Sequence, residues 1–153
     1  MTNIELTTHI NAPIALVFDL NRSIDFHQQT FKESKEKAVA GVISGLIELH
    51  GTVTWRGKHF GFYVEHESVI TEMNKPYSFT DEMKKGQFKW LKHQHIFKEE
   101  NGIVMMTDYF SYDVPFSFIG SVLNKMILEP YLKHILIKRN KHVKQKAESL
   151  SLN

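Results

Sequence analysis

The segment Leu91-Lys92-His93-Gln94-His95-Ile96-Phe97 is followed, after a turn at Asn101-Gly102, by Val104-Met105-Met106-Thr107-Asp108-Tyr109-Phe110. In both segments, side chains of different character alternate, which is the period-two pattern of a β-strand. An Asn-Gly pair between two such segments is typical of a tight hairpin. The sequence therefore predicts antiparallel strands at 89–98 and 103–113.

The alternation also predicts which polar side chains face the interior. His93 and His95 share a face with apolar neighbours, because the lysines on either side of them belong on the solvent face. On the second strand, Asp108 lies in the more apolar set, and the turn places it opposite His95. On a preceding strand at 77–84, Asp81 would lie beside His93, although a one-residue change of register would turn it outward. The candidate site is therefore the set Asp81, His93, His95 and Asp108.

The rest of the chain predicts further strands and two kinds of helix. Period-two patterns and turn residues predict strands at 3–10, 33–40, 50–56, 59–73 and 77–84, and their short connections imply antiparallel pairing. Two short helices are expected between the first two strands, one from Pro13 to about Leu20 and one at 22–31. After Pro115 the apolar residues recur at helical spacing, for example Val122, Leu123, Met126 and Ile127. This pattern predicts one long helix at about 118–147, with a kink near Met126 to Pro130 because Pro130 removes one backbone donor.

Composition limits the class of protein more than its function. The 153 residues suffice for a single domain, 1–153, and the net charge of +2 gives no reason to expect a nucleic-acid partner. The absence of cysteine excludes disulfides and thiolate metal sites. The N-terminus does not resemble a signal peptide, and no stretch is apolar enough for stable membrane insertion, so a cytoplasmic location is expected. The composition leaves the oligomeric state open.

Several motifs resemble those of one superfamily. They are Ile10-Asn11-Ala12-Pro13 followed by Val17-Phe18-Asp19, the stretch from Trp55 to Gly61, and His93 to Phe97 followed by Met106-Thr107-Asp108. The chain resembles the START-like or Bet v 1-like (SRPBCC) superfamily, in a bacterial branch related to polyketide cyclase/dehydrase and lipid-transport-type domains. The resemblance implies an α+β helix-grip fold, in which a curved antiparallel sheet of about seven strands wraps around the long C-terminal helix. It implies no fixed catalytic signature.

The first functional hypothesis is a binding protein for an apolar or amphipathic small molecule, held between the sheet and the C-terminal helix. Its expected contacts are the four candidate residues together with Phe62, Phe79, Met106, Phe110, Tyr112 and Met126. The second is a cyclase or dehydratase that uses His93 or His95 as acid or base. The third is a protein-interaction or membrane-surface module. The basic residues Lys138, Arg139, Lys141, Lys144 and Lys146 are interpreted as an exposed helix end.

A purely structural role for the polar residues is also open, because two His–Asp pairs could satisfy each other across a sheet without a ligand. No cofactor is expected. Two histidines two positions apart and two carboxylates could ligate a divalent ion, but the resemblance implies an empty or organic-filled cavity, so no metal is predicted.

Overall fold

The computed structural model describes residues 1–115 and 117–152, apart from the side chains of residues 117–119. The strands are β1 (Thr2–Ile10), β2 (Lys37–Gly41), β3 (Thr52–His59), β4 (Phe62–Asn74), β5 (Ser78–Lys85), β6 (Trp90–Glu100) and β7 (Ile103–Asp113). The helices are α1 (Ile14–Asn21), α2 (Ile24–Thr30), α3 (Ser117–Leu123) and α4 (Glu129–Ser151), and a π-helical turn (Asn124–Leu128) joins α3 to α4.

The described strands form one antiparallel sheet with the order β1-β7-β6-β5-β4-β3-β2. Neighbours in the sheet are neighbours in sequence, except that β1 pairs with β7. Helix α4 packs against β1 and α1 on one side of this sheet. The architecture confirms the α+β helix-grip fold with its two short helices after the first strand.

The core lies between the sheet and the helices. Alternate residues of the strands meet the inward faces of α1 and α4, as period-two and helical patterns require. The main cluster includes Ile10, Val17, Phe18, Phe79, Phe97 and Val143. Phe18 contacts both Phe79 and Phe97 edge to face, with ring centroids 5.6 and 5.5 Å away. Such contacts between aromatic rings anchor α1 on the sheet.

Two predicted boundaries move. The turn between β3 and β4 is at Phe60-Gly61, where both residues have positive φ, and not at residues 56–59, between the strands predicted at 50–56 and 59–73. Positive φ at both central residues matches the right-handed twist of a hairpin, and glycine adopts it without strain. The strand predicted at 33–40 begins only at Lys37, because backbone bonds from Lys35 and Glu36 to the preceding segment close turns there.

The irregularity of the C-terminal helix lies near the predicted kink but has another form. A five-residue π-helical turn ends at Leu128, and Pro130 lies in the first turn of α4. Proline is tolerated in a first turn because its missing N–H has little effect there. The helical segments also extend beyond the predicted end, to Ser151.

Candidate functional site

A cavity of about 790 Å³ lies between the concave face of the sheet and the C-terminal helical segments. Sites for drug-sized molecules typically measure about 300–1,000 Å³. Most of the wall is apolar, and its residues include Ile24, Ile47, Val53, Leu91, Leu132 and Leu136. Among the polar side chains in this wall, two clusters of histidines and carboxylates stand out and are described in turn.

The first polar group, called the Asp81 cluster, consists of Asp81, His93 and His95. The strand register is as predicted: Asp81 lies opposite His93, and His95 lies opposite Asp108. The side chains nevertheless bond diagonally. His93 Nε2 lies 2.8 Å from Asp108 Oδ1, and His95 Nε2 lies 3.2 Å from Asp81 Oδ2. Diagonal neighbours across two strands are within reach of long side chains.

Asp108 is fully buried behind the cavity wall and holds the cluster in place. Its Oδ2 accepts a 2.6 Å hydrogen bond from Asn140, and Arg139 Nη1 lies 3.5 Å from Oδ1. His95 Nδ1 is 2.9 Å from Oδ1, but the two atoms are not aligned for a hydrogen bond. Burial alone would raise the pKa of Asp108, but the interactions with His93 and His95 outweigh it and hold the pKa well below its usual value. Asp108 is therefore a buried carboxylate ion.

Within the Asp81 cluster, the pKa of His93 is markedly lowered. Burial, helped by the neighbouring His95, lowers the pKa of His93 to about 4, and Asp108 offsets this only in part. The imidazole is therefore neutral at pH 7. Because the ionised Asp108 accepts from Nε2–H, Nδ1 carries the lone pair, and His93 lines the cavity. A neutral imidazole held by a carboxylate can accept a hydrogen bond or a proton from a bound molecule.

Asp81 completes the cluster and is about one-fifth exposed. Burial would raise its pKa, but the hydrogen bond from His95 outweighs this and lowers it. Asp81, His93 and His95 each offer one potential ligand atom, and these atoms lie within 4.8 Å of one another. A divalent cation bound to His95 Nε2 and Asp81 Oδ2 would replace the hydrogen bond between these two atoms.

The predicted contact residues fall into three groups. Asp81, Phe79, His93, His95 and Phe110 lie in the cavity wall, and Phe62 joins them from the rim, where it is 74% exposed beside the β3–β4 turn. Asp108, Met106 and Tyr112 are fully buried but lie behind the wall. Met126 is 73% exposed and outside the wall, which corrects its predicted position.

The displacement of Met126 has a visible cause. The buried side chain of Asn124 accepts a 2.8 Å hydrogen bond from the Tyr112 hydroxyl and donates one to Thr2 Oγ1. With Asn124 held in this way, Leu123, Asn124 and Ile127 line the cavity, whereas the apolar pattern predicted Val122, Met126 and Ile127 on that face; Ile127 is placed as predicted, and Val122 and Met126 are not. The polar residue Asn124 inside an apolar helical run is a sequence signal of this arrangement.

The second polar group, called the Glu36 cluster, was not identified from the sequence. Glu36 Oε1 lies 2.5 Å from His27 Nε2, and Glu36 Oε2 lies 3.7 Å from His59 Nε2. His59 Nδ1 lies 2.8 Å from the Tyr131 hydroxyl. These four residues come from α2, the β2 approach, the end of β3 and α4, and all four line the cavity. Since they are far apart in sequence, no local pattern links them.

Glu36 is charged although it is only 13% exposed. Burial would raise its pKa, but the interactions with His27 and His59 outweigh it and lower the pKa to about 2. The ring of His27 also contacts the rings of Trp55 and Phe31, with centroids 4.0 and 4.5 Å away. The Glu36 cluster is therefore an ionised carboxylate with fixed imidazole partners.

Two arginines also line the cavity, and both are already paired. Arg22 Nε bonds Asp19 at 2.8 Å, and its Nη1 bonds Glu48 at 2.7 Å. Arg139 is buried against Asp108 and donates to Asn21 at 2.7 Å. The interpretation of Arg139 as part of an exposed basic helix end is therefore wrong, because its guanidinium is buried and contacts Asp108 and Asn21.

Comparisons with known proteins identify the fold. No protein-family model matches the chain, and no curated protein shows significant similarity. Among solved structures, a START superfamily protein from Mycobacterium smegmatis is 12% identical, with a TM-score of 0.71 over 97% of this chain and 98% of that one. Ginseng major latex-like protein 151 from Panax ginseng is 12% identical, with a TM-score of 0.69 over 95% and 97%.

A protein from Thermus thermophilus is similar at 16% identity, with a TM-score of 0.71 over 93% of this chain and 97% of that one. Together these structures confirm the START-like, Bet v 1-like fold. At such low sequence identity, a shared fold does not identify a ligand. In the described residues, no helix is long and apolar enough to cross a membrane.

Proposed function

We propose that this START-like domain binds an apolar or amphipathic small molecule in the cavity between its sheet and its C-terminal helix. The observation that carries the proposal is a mostly apolar cavity of about 790 Å³ with the Asp81 cluster in its wall. Apolar walls supply affinity by removing ligand surface from water, and a few fixed polar groups supply orientation. This cavity has both features.

The Asp81 cluster would receive the polar end of the ligand. His93 Nδ1 and the Asp81 oxygen that does not bond His95 are acceptors beside the apolar wall. The cluster is held by Asp108, which Asn140 and Arg139 fix from α4. Polar groups that are fixed before binding lose little freedom when a ligand arrives.

The proposal is tested by filling the cavity. Leu132 lies in the wall, and Ile137 lies five residues further along α4 on the exposed side. We expect Leu132→Trp to weaken binding of the neutral fluorescent probe N-phenyl-1-naphthylamine at least tenfold, about 1.4 kcal/mol. The matched variant Ile137→Trp should bind as the wild type does. Equal probe binding by both variants would contradict the cavity as the binding site.

An acid–base enzyme is the second candidate, and the pair formed by His93 and Asp108 favours it. A neutral imidazole with Nε2–H on a buried carboxylate is the arrangement of a general base, because the carboxylate stabilises the imidazolium that forms. We expect such an enzyme to dehydrate an apolar β-hydroxyketone, which enone absorbance would reveal. His93→Gln should abolish that turnover. No wild-type turnover above the buffer rate would remove this candidate and leave binding.

A further inference from the structure

The two histidine–carboxylate clusters of the cavity wall both present hydrogen-bond acceptors. The Glu36 cluster and the Asp81 cluster line the same cavity but belong to different strands and helices. The chemistry of the ligand, given the proposed binding function, depends on the direction of the hydrogen bonds in each cluster.

In the Glu36 cluster, the bond directions follow from the charge on Glu36. His59 Nε2 lies 3.7 Å from Glu36 Oε2, beyond hydrogen-bond distance, and the negative charge of the carboxylate favours the tautomer with the proton on Nε2. His59 Nδ1 then has a lone pair and accepts the hydrogen of the Tyr131 hydroxyl, 2.8 Å away. The Tyr131 oxygen therefore keeps its lone pairs for a molecule in the cavity.

The Asp81 cluster also presents hydrogen-bond acceptors to the cavity. His93 donates Nε2–H to Asp108, so its Nδ1 is an acceptor. Asp81 is an ionised carboxylate with one oxygen bonded to His95. Near these groups, burial lowers the pKa of His66, so that this imidazole is uncharged at neutral pH as well.

The charges of the wall add a second constraint. The carboxylates of the two clusters, Glu36 and Asp81, have imidazoles as their only hydrogen-bond partners among the described residues. The guanidinium groups of Arg22 and Arg139 are each bound to carboxylates outside the wall. Within the described residues no lysine lines the cavity. An anionic ligand would therefore lose its hydration without gaining an unpaired cation, which is strongly unfavourable.

We propose that the cavity selects apolar molecules that carry a hydroxyl group, which donates to Tyr131 or to the Asp81 cluster, and that it excludes carboxylates of the same size. The Glu36 cluster is then a second binding site within the cavity. A ligand with hydroxyl groups at both ends would use both clusters.

The experiment compares two small molecules with alkyl chains of equal length, 1-dodecanol and dodecanoate, as competitors of N-phenyl-1-naphthylamine at pH 8. We expect dodecanol to displace the probe at a concentration at least tenfold lower than dodecanoate. Equal displacement by both would overturn the selectivity. Failure of the probe itself to bind wild-type protein would instead contradict the proposed function, and the inference with it.

Variants separate the two clusters. Tyr131→Phe removes only the hydroxyl, and we expect it to weaken the binding of dodecanol about fivefold relative to that of the probe. Tyr77→Phe, at an exposed tyrosine outside the wall, is the matched control and should have no effect. Asp81→Asn removes a charge from the wall and should strengthen dodecanoate binding. If neither Tyr131→Phe nor Asp81→Asn changes the ratio of the two affinities, the proposed selectivity is wrong.

Discussion

Replacement of Asp108 by asparagine tests the role of the buried carboxylate directly. In the wild type, Asp108 accepts from His93 at 2.8 Å and from Asn140 at 2.6 Å, and it faces the buried guanidinium of Arg139. An asparagine amide must direct its own NH₂ group at one of these donors, and it leaves Arg139 without a carboxylate. Breaking a buried charge pair in this way typically destabilises a protein by about 3–5 kcal/mol.

This loss is large enough to measure by thermal unfolding. For a domain of this length, 1 kcal/mol corresponds to about 2–4 °C, so the midpoint of Asp108→Asn should fall by about 6–20 °C. Glu82→Gln is the matched control, because Glu82 faces Lys92 at 3.6 Å on the solvent side of the sheet. Exposed pairs of this kind contribute about 0–1 kcal/mol. A midpoint for Asp108→Asn as high as that of Glu82→Gln would refute the anchoring role of Asp108.

Four further predictions concern acidity, the helix anchor, the helix itself and metal. Burial lowers the pKa of His93 from 6.5 to about 4, so as the pH falls the unfolded chain takes up this proton at a higher pH than the folded protein does. The free energy of unfolding from urea titrations should then fall by up to about 1.4 kcal/mol per pH unit between pH 6.5 and 4, with a smaller slope in His93→Gln. Tyr112→Phe removes the donor to Asn124 and should destabilise the fold by about 1–2 kcal/mol in urea; an unchanged midpoint would contradict this anchor. Deletion from Pro115 onward should abolish the folded circular dichroism spectrum, because the concave face would lose its cover. EDTA should leave the melting temperature of the purified protein unchanged, because a hydrogen bond already joins His95 to Asp81, two of the three potential metal ligands. A fall in melting temperature would point to a bound cation.

Much of the fold was accessible from the sequence because the sheet is built from hairpins. Short connections fix which strands pair, and period-two alternation fixes which face is buried, so that Asp81, His93, His95 and Asp108 could be placed together. The side-chain bonds were not accessible, because alternation gives the face of a residue and not its direction along the strand. His93 therefore bonds Asp108 rather than its direct partner across the sheet.

The Glu36 cluster shows the limit of sequence patterns. Its members lie on α2, before β2, at the end of β3 and on α4, and only the folded sheet brings them together. Arg139 illustrates a second limit. A basic residue in a basic helical run is normally exposed, and only the position of Asp108 beneath α4 reveals that it is buried.

The π-helical turn restricts how the chain can change in length during evolution. Asn124 within the turn is bonded to Tyr112, and Tyr131 and Arg139 beyond it are bonded to His59 and Asp108. Each residue of an α-helix advances the side-chain direction by about 100°, so deletion of one residue from the turn would rotate one set of contacts away from the sheet. Side chains at 125–128 can therefore change without loss of these hydrogen bonds, whereas a change at Asn124 or a one-residue deletion from the turn would require a new set of anchors on β7 or α4.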